Sequence, residues 1–290
     1  MKLDGRRESS NVEDRRGSTG KIAGGLGIGG VIIVGLITLL MGGDLGDVFN
    51  NVSSMSGGTE VIQDGSQTEF TAEEQELARF SKVILASTED VWTAYFQQHG
   101  LGQYRNPTLV LYTGSTTTSC GQGQAAMGPF YCSGDEKLYI DLSFFTSMKR
   151  QLGADGDFAY AYVIAHEVGH HVQNLLGTLG KAHQQMARMS EADANKISVR
   201  IELQADFFAG VWGYYEKNSF GSLEDGDIDE AINCADKIGD DYLQKKARGY
   251  AVEESFTHGS AAQRKKWLKK GLTTGNLSLG DTFSLSDREL

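Results

Sequence analysis

The sequence of 290 residues predicts an α+β protein, a mostly helical domain with a small sheet that follows one N-terminal transmembrane helix. Three observations lead to this prediction. An apolar run of about twenty residues stands near the N-terminus, five stretches have helical periodicity with capping signals, and two short runs have the composition of strands. A domain with this mixture of elements belongs to the α+β class.

The apolar run covers residues 22–41 and contains no charged side chain. It is about long enough to cross a bilayer as a helix. Basic residues precede it, and no Lys or Arg follows it before Arg79. The positive-inside rule therefore predicts a cytoplasmic tail at 1–21, an anchor at 22–42 and a domain outside the cytoplasm, which is the periplasmic side in a Gram-negative bacterium. A cleaved signal peptide is the alternative, but no A-x-A site follows the run.

The remaining chain divides by composition. Residues 43–70 are rich in Gly, Ser, Asn and Asp and are predicted to be a flexible linker. Residues 71–275 form the predicted domain, and residues 276–290 a frayed tail. Helical patterns with capping signals, several closed by glycines such as Gly271, cover residues 71–100, 157–176, 190–218, 227–248 and 260–271. Strands are predicted at residues 108–112 and 137–142.

Charge and cysteine content restrict the possible functions. The formal net charge of −11 argues against nucleic acid as a partner, since phosphate binding requires a basic surface. The three cysteines include no C-x-x-C pair, which argues against a thiolate zinc site. Cys120 and Cys132 could form a disulfide outside the cytoplasm, and the sequence leaves that pairing open. Cys234 is predicted to be a small buried apolar residue.

The strongest motif is H-E-V-G-H at residues 166–170. Two residues four positions apart share one face of a helix, so His166 and His170 can direct their imidazoles at one metal ion. Glu167 is then placed to take a proton from a water that the metal has acidified. An apolar helix surrounds the motif, where unpartnered polar groups would be costly. A metal-free polar cluster in the core is the alternative.

A second motif, E-L-Q-A-D at residues 202–206, offers the third ligand that a catalytic zinc requires. Glu202 and Asp206 share one helix face with an apolar flank, and two unpaired buried carboxylates would be expensive. We expect Glu202 to bind the metal and Asp206 to accept a hydrogen bond from a ligand histidine. The alternative is a structural ion pair with Arg200.

These two motifs resemble the gluzincin pattern, and the chain is similar to the bacterial YpfJ-like family of neutral zinc metallopeptidases. The similarity rests on G-P-F-Y-C (128–132), Y-I-D-L (139–142), H-E-V-G-H-H-V-Q (166–173), E-L-Q-A-D (202–206), I-G-D-D (238–241) and F-T-H-G (256–259). It implies a zincin-like fold with one zinc per chain and an N-terminal membrane segment. Position by position it implies His166, His170 and Glu202 as ligands, Glu167 as the base and Asp206 as the supporting acid. It implies no particular substrate.

Other residues carry weaker signals. His258, in a Gly-flanked turn, is one candidate donor to the developing oxyanion, and Tyr214 or Tyr215 is another. His171 is rotated away from the zinc face and is expected to pack. The strand at 137–142 is a candidate edge for binding an extended peptide, by fold analogy. The insert at residues 177–195 could form a helical flap beside the cleft, and His99 and His183 are expected at the surface.

Three functions share these residues. The first is a metallopeptidase that hydrolyses peptide bonds in a peptide or protein substrate with zinc-activated water. The second is a membrane-tethered binding or scaffold protein with a structural zinc and no activity. The third is a zinc amidase that acts on a non-peptide substrate. Glu167 favours a catalytic function, because a structural zinc site has no use for a base.

Overall fold

The computed structural model describes residues 1–17 and 70–290. The α-helices in this part of the chain are α1 (Ala72–His99), α2 (Ser143–Ser147), α3 (Asp157–Leu175), α4 (Thr178–Met186), α5 (Glu191–Tyr215), α6 (Asp227–Lys237), α7 (Asp240–Arg248) and α8 (Ala261–Thr274). The strands are β1 (Val12–Asp14), β2 (Thr108–Tyr112), β3 (Ser115–Thr118), β4 (Gly121–Gln124), β5 (Phe130–Cys132) and β6 (Lys137–Asp141). Helices predominate over a small sheet, which confirms the predicted α+β class.

Four strands form one sheet in the order β1-β2-β6-β5. The central strands β2 and β6 are parallel, β1 adds in parallel to β2, and β5 runs antiparallel to β6 at the opposite edge. Leu109, Val110 and Leu111 are consecutive and all fully buried. Because successive side chains point to opposite faces of a strand, both faces of the sheet are covered at this point. β3 and β4 form a separate two-stranded hairpin.

The buried helices α3 and α5 pack against each other and form the centre of the domain. They approach closely where Gly169 of α3 faces Ala205 of α5. A Cβ atom at Gly169 would lie 2.9 Å from the carbonyl oxygen of Ala205, closer than real Cβ contacts allow. The missing side chain therefore permits the short distance between the two helices.

Two helix starts show the capping boxes that the sequence indicates, whereas α6 starts at Asp227 without a side-chain cap. The Thr71 side chain accepts a hydrogen bond from the N–H of Glu74, whose carboxylate accepts one from the N–H of Thr71. Ser260 and Gln263 form the same reciprocal capping box at the start of α8. These local hydrogen bonds satisfy N–H groups that a helix leaves unpaired, so their sequence signature is reliable.

The single helix predicted over residues 227–248 is two helices, α6 and α7, interrupted at Gly239. A Cβ atom at Gly239 would lie 2.3 Å from the backbone nitrogen of Ala261. The helix is interrupted at Gly239, where the start of α8 comes too close for any side chain. The interruption places Asp240 at the beginning of α7, where its carboxylate faces the turn before α8.

Helix α8 continues past Gly271 and ends at Gly275, which has a left-handed φ of 57°. The prediction that Gly271 ends the helix was wrong. A Cβ atom at Gly271 would lie 2.2 Å from the carbonyl oxygen of Phe207, and Gly210 of α5 faces it. Gly271 therefore serves the close packing of α8 on α5 and not helix termination.

Residues 1–17 fold onto the domain, whereas the sequence predicts a cytoplasmic tail at 1–21 that is separate from it. Besides the pairing of β1 with β2, the Arg6 guanidinium donates a 2.6 Å hydrogen bond to the carboxylate of Glu216. The Ser9 hydroxyl donates to the carboxylate of Glu89 at 2.6 Å. Both carboxylates are buried. The prediction failed because a polar segment without apolar periodicity looks solvated in the sequence. Its side chains in fact pair with carboxylates more than 70 positions away.

This pairing also contradicts the predicted membrane topology. Strands of one sheet lie on the same side of a membrane, so residues 1–17 cannot be in the cytoplasm while the domain is outside it. The predicted anchor at 22–42 and nearly all of the linker lie outside the described residues. In residues 1–17 and 70–290, no helix has both the length and the apolar character for crossing a bilayer.

The C-terminal residues 276–290 are packed, and the predicted frayed tail was wrong. Thr282 is fully buried and donates to the carbonyl oxygen of Arg200. The Arg200 guanidinium in turn donates to the carboxylate of Asp287 at 2.7 Å. Arg200 is thus paired with the tail. The ion-pair alternative required Arg200 to pair with Glu202. The composition of the tail did not reveal these contacts, since their shared partner, Arg200, lies on α5.

The close contact between α5 and α8 predicts a large effect of one methyl group. Gly271→Ala should destabilise the protein by about 1–3 kcal/mol, because the added carbon overlaps backbone atoms that cannot move away. The measurement is urea unfolding of the purified full chain, followed by circular dichroism.

Gly180→Ala is the matched control, since Gly180 lies in α4 with nothing within 4 Å of the added Cβ. It should stabilise the protein by about 0.5–1 kcal/mol through lower backbone entropy in the unfolded chain. Equal unfolding midpoints for the two variants would show that the helix contact is not tight.

Candidate metal centre

Two facing helices carry the predicted metal ligands. Helix α3 places His166 and His170 one turn apart on one face, and α5 places Glu202 and Asp206 in the same way. The two faces meet beside the Gly169 contact. All four side chains are buried or nearly so, which is why their polar groups must find partners within the protein.

The ligand atoms of His166, His170 and Glu202 all lie within 4.8 Å of one another. Nε2 of His166 is 3.0 Å from one carboxylate oxygen of Glu202, and Nε2 of His170 is 3.4 Å from the other. A tetrahedral zinc with bonds of about 2.0–2.1 Å requires donor atoms roughly 3.3 Å apart. The spacing and the nitrogen and oxygen donors therefore fit one zinc ion.

Both imidazoles are held so that Nε2 faces the shared point. Nδ1 of His166 lies 2.8 Å from a carboxylate oxygen of Asp206, which accepts its hydrogen bond. Nδ1 of His170 lies 3.0 Å from Oε1 of Gln173, and the Gln173 amide donates to the carbonyl oxygen of Ile201. Each ring thus directs Nδ1 at an oxygen acceptor, which leaves Nε2 as the nitrogen that a metal would bind.

Asp206 is the centre of a fully buried network that the sequence analysis found only in part. The Arg264 guanidinium donates to both carboxylate oxygens at 2.9 Å, through Nε and Nη2. The Tyr162 hydroxyl donates to the same carboxylate at 2.5 Å. Burial raises the pKa of Asp206, but Arg264 and His166 outweigh it and lower the pKa to about 2. Asp206 is therefore a permanent carboxylate behind the metal ligand.

The charges around His166 favour a cation. Burial lowers the pKa of its imidazole, but the carboxylates of Asp206 and Glu202 outweigh burial and raise the pKa to about 10. Groups that stabilise a proton on this ring also stabilise a divalent ion bound to it. The electrostatics therefore agree with the donor geometry.

Glu167 and His258 lie with the ligands along one cavity of about 640 Å³. Glu167 is buried, and burial raises the pKa of its carboxyl group, an effect that the nearby His170 and His166 partly offset. His258 is half-buried on the turn before α8. The structure thus brings five of the predicted residues, His258 included, to one cavity, while Asp206 stands behind it.

The turn that carries His258 is fixed by one buried side chain. A carboxylate oxygen of Asp240 accepts hydrogen bonds from the backbone N–H groups of Thr257, His258 and Gly259 at 2.7–3.0 Å. The other oxygen of Asp240 lies 3.3 Å from Nδ1 of His258. Burial lowers the pKa of His258, but the carboxylates of Glu202 and Asp240 outweigh it and raise the pKa.

Comparison with known proteins agrees with this geometry. The family model described as "Putative neutral zinc metallopeptidase" matches residues 1–283. The chain belongs to this family. It is 48% identical to the uncharacterized protein YpfJ of Escherichia coli K12, over 99% of this chain and all of YpfJ. It is 44% identical to the uncharacterized protein Mb2605 of Mycobacterium bovis, over 63% of this chain and 64% of Mb2605. No solved structure matches the chain.

The family match extends to the N-terminal segment and to the C-terminal helix, so it covers both the ligands and their support. A family of zinc metallopeptidases implies zinc as the metal, which agrees with the donor set of His166, His170 and Glu202. Gln173, Tyr162 and Arg264 were missed in the sequence analysis. Gln173 could have been found from its position three residues after His170, whereas Arg264 gives no local signal.

Two other candidates for the oxyanion donor lie elsewhere. The ring of Tyr214 packs against Gly275, and the ring of Tyr215 contacts that of Tyr95 at 5.8 Å between centroids. Neither lines the cavity. His171 packs as expected, with Nε2 donating to the carbonyl oxygen of Arg105. Of the three candidates, only His258 is at the site.

β5 also contributes to the wall of the cavity, and a disulfide between Cys120 and Cys132 connects it to the turn of the hairpin β3–β4. Phe130 and Tyr131 of β5 line the cavity. The predicted edge strand at 137–142 was wrong, because β6 lies between β2 and β5 inside the sheet. The sequence could not show this, since β5 has only three residues. Cys234 is buried as a free thiol, as expected.

The insert at residues 177–195 contains α4, which lies beside the cavity. Leu179, His183 and Met186 of α4 are among the lining residues. The expectation of a helical element beside the cleft agrees with this position. His183 is exposed, as expected, but it also faces the cavity. His99 is exposed and stacks on Tyr95 at the end of α1, away from the site.

The Asp206 network predicts that Arg264 controls zinc affinity without touching the metal. Arg264→Lys keeps the positive charge but cannot donate to both carboxylate oxygens at once. The imidazole of His166 is then held less firmly, and zinc affinity should fall by about 10–100-fold. Competition with a chromophoric chelator measures the zinc dissociation constant directly.

Lys265→Ala is the control, because Lys265 is a partly exposed neighbour on α8 that pairs with Asp236. Its zinc affinity should equal that of the unchanged protein. If Arg264→Lys also binds zinc with unchanged affinity while folded, the network does not orient the ligand.

Proposed function

We propose that this chain is a zinc-dependent peptidase that hydrolyses peptide bonds with metal-activated water and Glu167 as the general base. The observation that supports it most is the convergence of His166, His170 and Glu202 beside Glu167 on the wall of one cavity. A ligand trio, a separate carboxylate and room for a substrate are the parts that metal-assisted hydrolysis needs.

His166, His170 and Glu202 would hold the zinc. Zinc in such a site supplies Lewis-acid chemistry, in that it lowers the pKa of water and polarises a carbonyl group. The protein keeps the ligands in place through Asp206 and Gln173, which fix the imidazoles. The site is therefore largely preformed before substrate binds.

Glu167 is the residue that moves the proton. It directly follows the first ligand, His166, in α3 and lines the same cavity. It is not one of the three metal-binding residues. A carboxylate here can take a proton from the attacking water and pass it to the nitrogen of the leaving amine. Burial raises the pKa of Glu167 and so makes it a better proton acceptor than an exposed glutamate.

His258 would donate a hydrogen bond to the carbonyl oxygen as it gains negative charge. It lies on the same cavity, and Asp240 fixes its backbone by accepting from its N–H, while Nδ1 lies 3.3 Å from the other carboxylate oxygen of Asp240. The carboxylates of Glu202 and Asp240 raise the pKa of its imidazole after burial has lowered it, which favours the protonated, donating form. A preorganised donor of this kind stabilises the transition state.

A purely structural zinc is a poorer explanation of this arrangement. Structural zinc sites usually have four protein ligands and are closed. In the described residues the cluster contributes three ligands and opens on a cavity of about 640 Å³. An open position beside a cavity is typical of catalytic zinc. A zinc amidase would use the same residues, and no feature of the site favours a non-peptide substrate.

Glu167→Gln tests the proposed base. The variant should lose peptide hydrolysis by at least about 100-fold, because the amide cannot accept the proton from water. Zinc content should remain one per chain, since the three ligands are intact. Measurements are the hydrolysis of a fluorescent casein substrate and metal analysis of the same preparation.

Glu191→Gln is the control, since Glu191 is an exposed residue in the first turn of α5. It should keep full activity and zinc. If the unsubstituted protein binds zinc but hydrolyses neither casein nor any member of a peptide library, the proposed function is overturned. A Glu167→Gln protein that loses its zinc would show that Glu167 is structural.

His258→Ala tests the proposed donor. Removal of one such hydrogen bond should lower kcat by about 100–1000-fold, with a much smaller change in KM. His258→Gln keeps a donor and should recover part of the loss. Steady-state kinetics on one peptide measures both parameters. A rise in KM with unchanged kcat would instead assign His258 to substrate binding.

A further inference from the structure

The cavity beside the metal centre has apolar walls. Outside the ligands and Glu167, its lining comes from several elements and is mostly apolar, including Met127, Phe130, Val163, Leu179, Met186 and Ile201. Its volume is about 640 Å³. Such a space accommodates side chains on both sides of a peptide bond and favours apolar ones.

The charged groups that line this cavity are few and already engaged. Among the lining residues, all of which the structure describes, Glu167 and Glu202 are the carboxylates, and no lysine is present. The one arginine, Arg264, donates through Nε and Nη2 to Asp206 and through Nη1 to the carbonyl oxygen of Ile238. His258 faces a carboxylate oxygen of Asp240 at 3.3 Å.

An exopeptidase has to pair the charged end of its substrate with a protein group of opposite charge. Transfer of a free ammonium or carboxylate into an apolar cavity without such a partner is costly. In this cavity Arg264 and His258 are already matched by Asp206 and Asp240, and the two carboxylates serve the metal and the water. His183 also lines the wall, but partial burial lowers its pKa, so its imidazole is uncharged at neutral pH. The cavity therefore offers no partner for a substrate terminus.

We infer that the site is that of an endopeptidase, which accepts an internal stretch of polypeptide and prefers bulky apolar side chains next to the cleaved bond. The inference rests on the proposed function and specifies its substrate class. The chain of the substrate enters and leaves the cavity with its two ends in solvent. The bond that is broken is the amide C–N bond, with water adding to carbon and the proton passing to nitrogen.

Matched peptides test this inference on the zinc-loaded full chain. The probes are internally quenched ten-residue peptides, each made with free ends and with an acetylated N-terminus and an amidated C-terminus. Their central residue is Leu, Phe, Asp or Lys. Blocked and free forms should be cleaved with kcat/KM values within about twofold of each other. Leu and Phe should exceed Asp and Lys by at least about tenfold, since apolar pocket contacts discriminate to this degree.

The outcomes separate the two proposals. Cleavage of free peptides alone would overturn the endopeptidase inference and leave the peptidase function standing. Equal kcat/KM values for Leu and Lys peptides would overturn the apolar preference. No cleavage of any peptide by a protein with one bound zinc would overturn the proposed function itself.

A charge placed on the cavity wall gives an independent test. Met186 is partly buried and lines the cavity, whereas Met189 is 42% exposed and lies outside it. Met186→Lys should lower kcat/KM for Leu and Phe peptides at least tenfold and raise it for the Asp peptide. Met189→Lys should change neither by more than twofold. Identical specificity of the two variants would show that the wall around Met186 does not contact the substrate.

Discussion

The close approach of α3 and α5 at Gly169 is the constraint on which the metal centre depends. The carbonyl oxygen of Ala205 would lie 2.9 Å from any Cβ at this position, so the helices could not meet at this distance with a larger residue. The contact stands one residue from His170 and three from Glu202. Because the ligand side chains are short and must share one ion, their helices have to be this near.

A second constraint is electrostatic. Glu202 and Asp206 place two carboxylates on one face of α5, where Asp206 is fully buried and Glu202 nearly so. Arg264 compensates the charge of Asp206, whereas Glu202 faces the imidazoles. A buried carboxylate without a partner would destabilise the fold, so the guanidinium and the metal-binding histidines each serve stability as well as the site. The site is therefore built into the core and not added to its surface.

Local patterns in the sequence predicted a large part of this arrangement. Each of the two residue pairs lies within about one helix turn, and local patterns correctly predicted the helices that carry them and the capping boxes at Thr71 and Ser260. Long-range partners were not. Arg264 reaches Asp206 across 58 positions, and nothing in its neighbourhood marks it as special. Gly271 was ambiguous, since a glycine can end a helix or permit close packing.

The ends of the chain show why the polar segments were misread. Helix α5 carries Glu202, and both ends of the chain hold it. The C-terminal tail pairs with Arg200, and Arg6 pairs with Glu216 just after the last turn of α5. A polar segment looks solvated when its partners lie elsewhere in the sequence. Because the helix with the third ligand is fixed in this way, the position of Glu202 depends on the whole chain, whereas the spacing of the two histidines is set within α3.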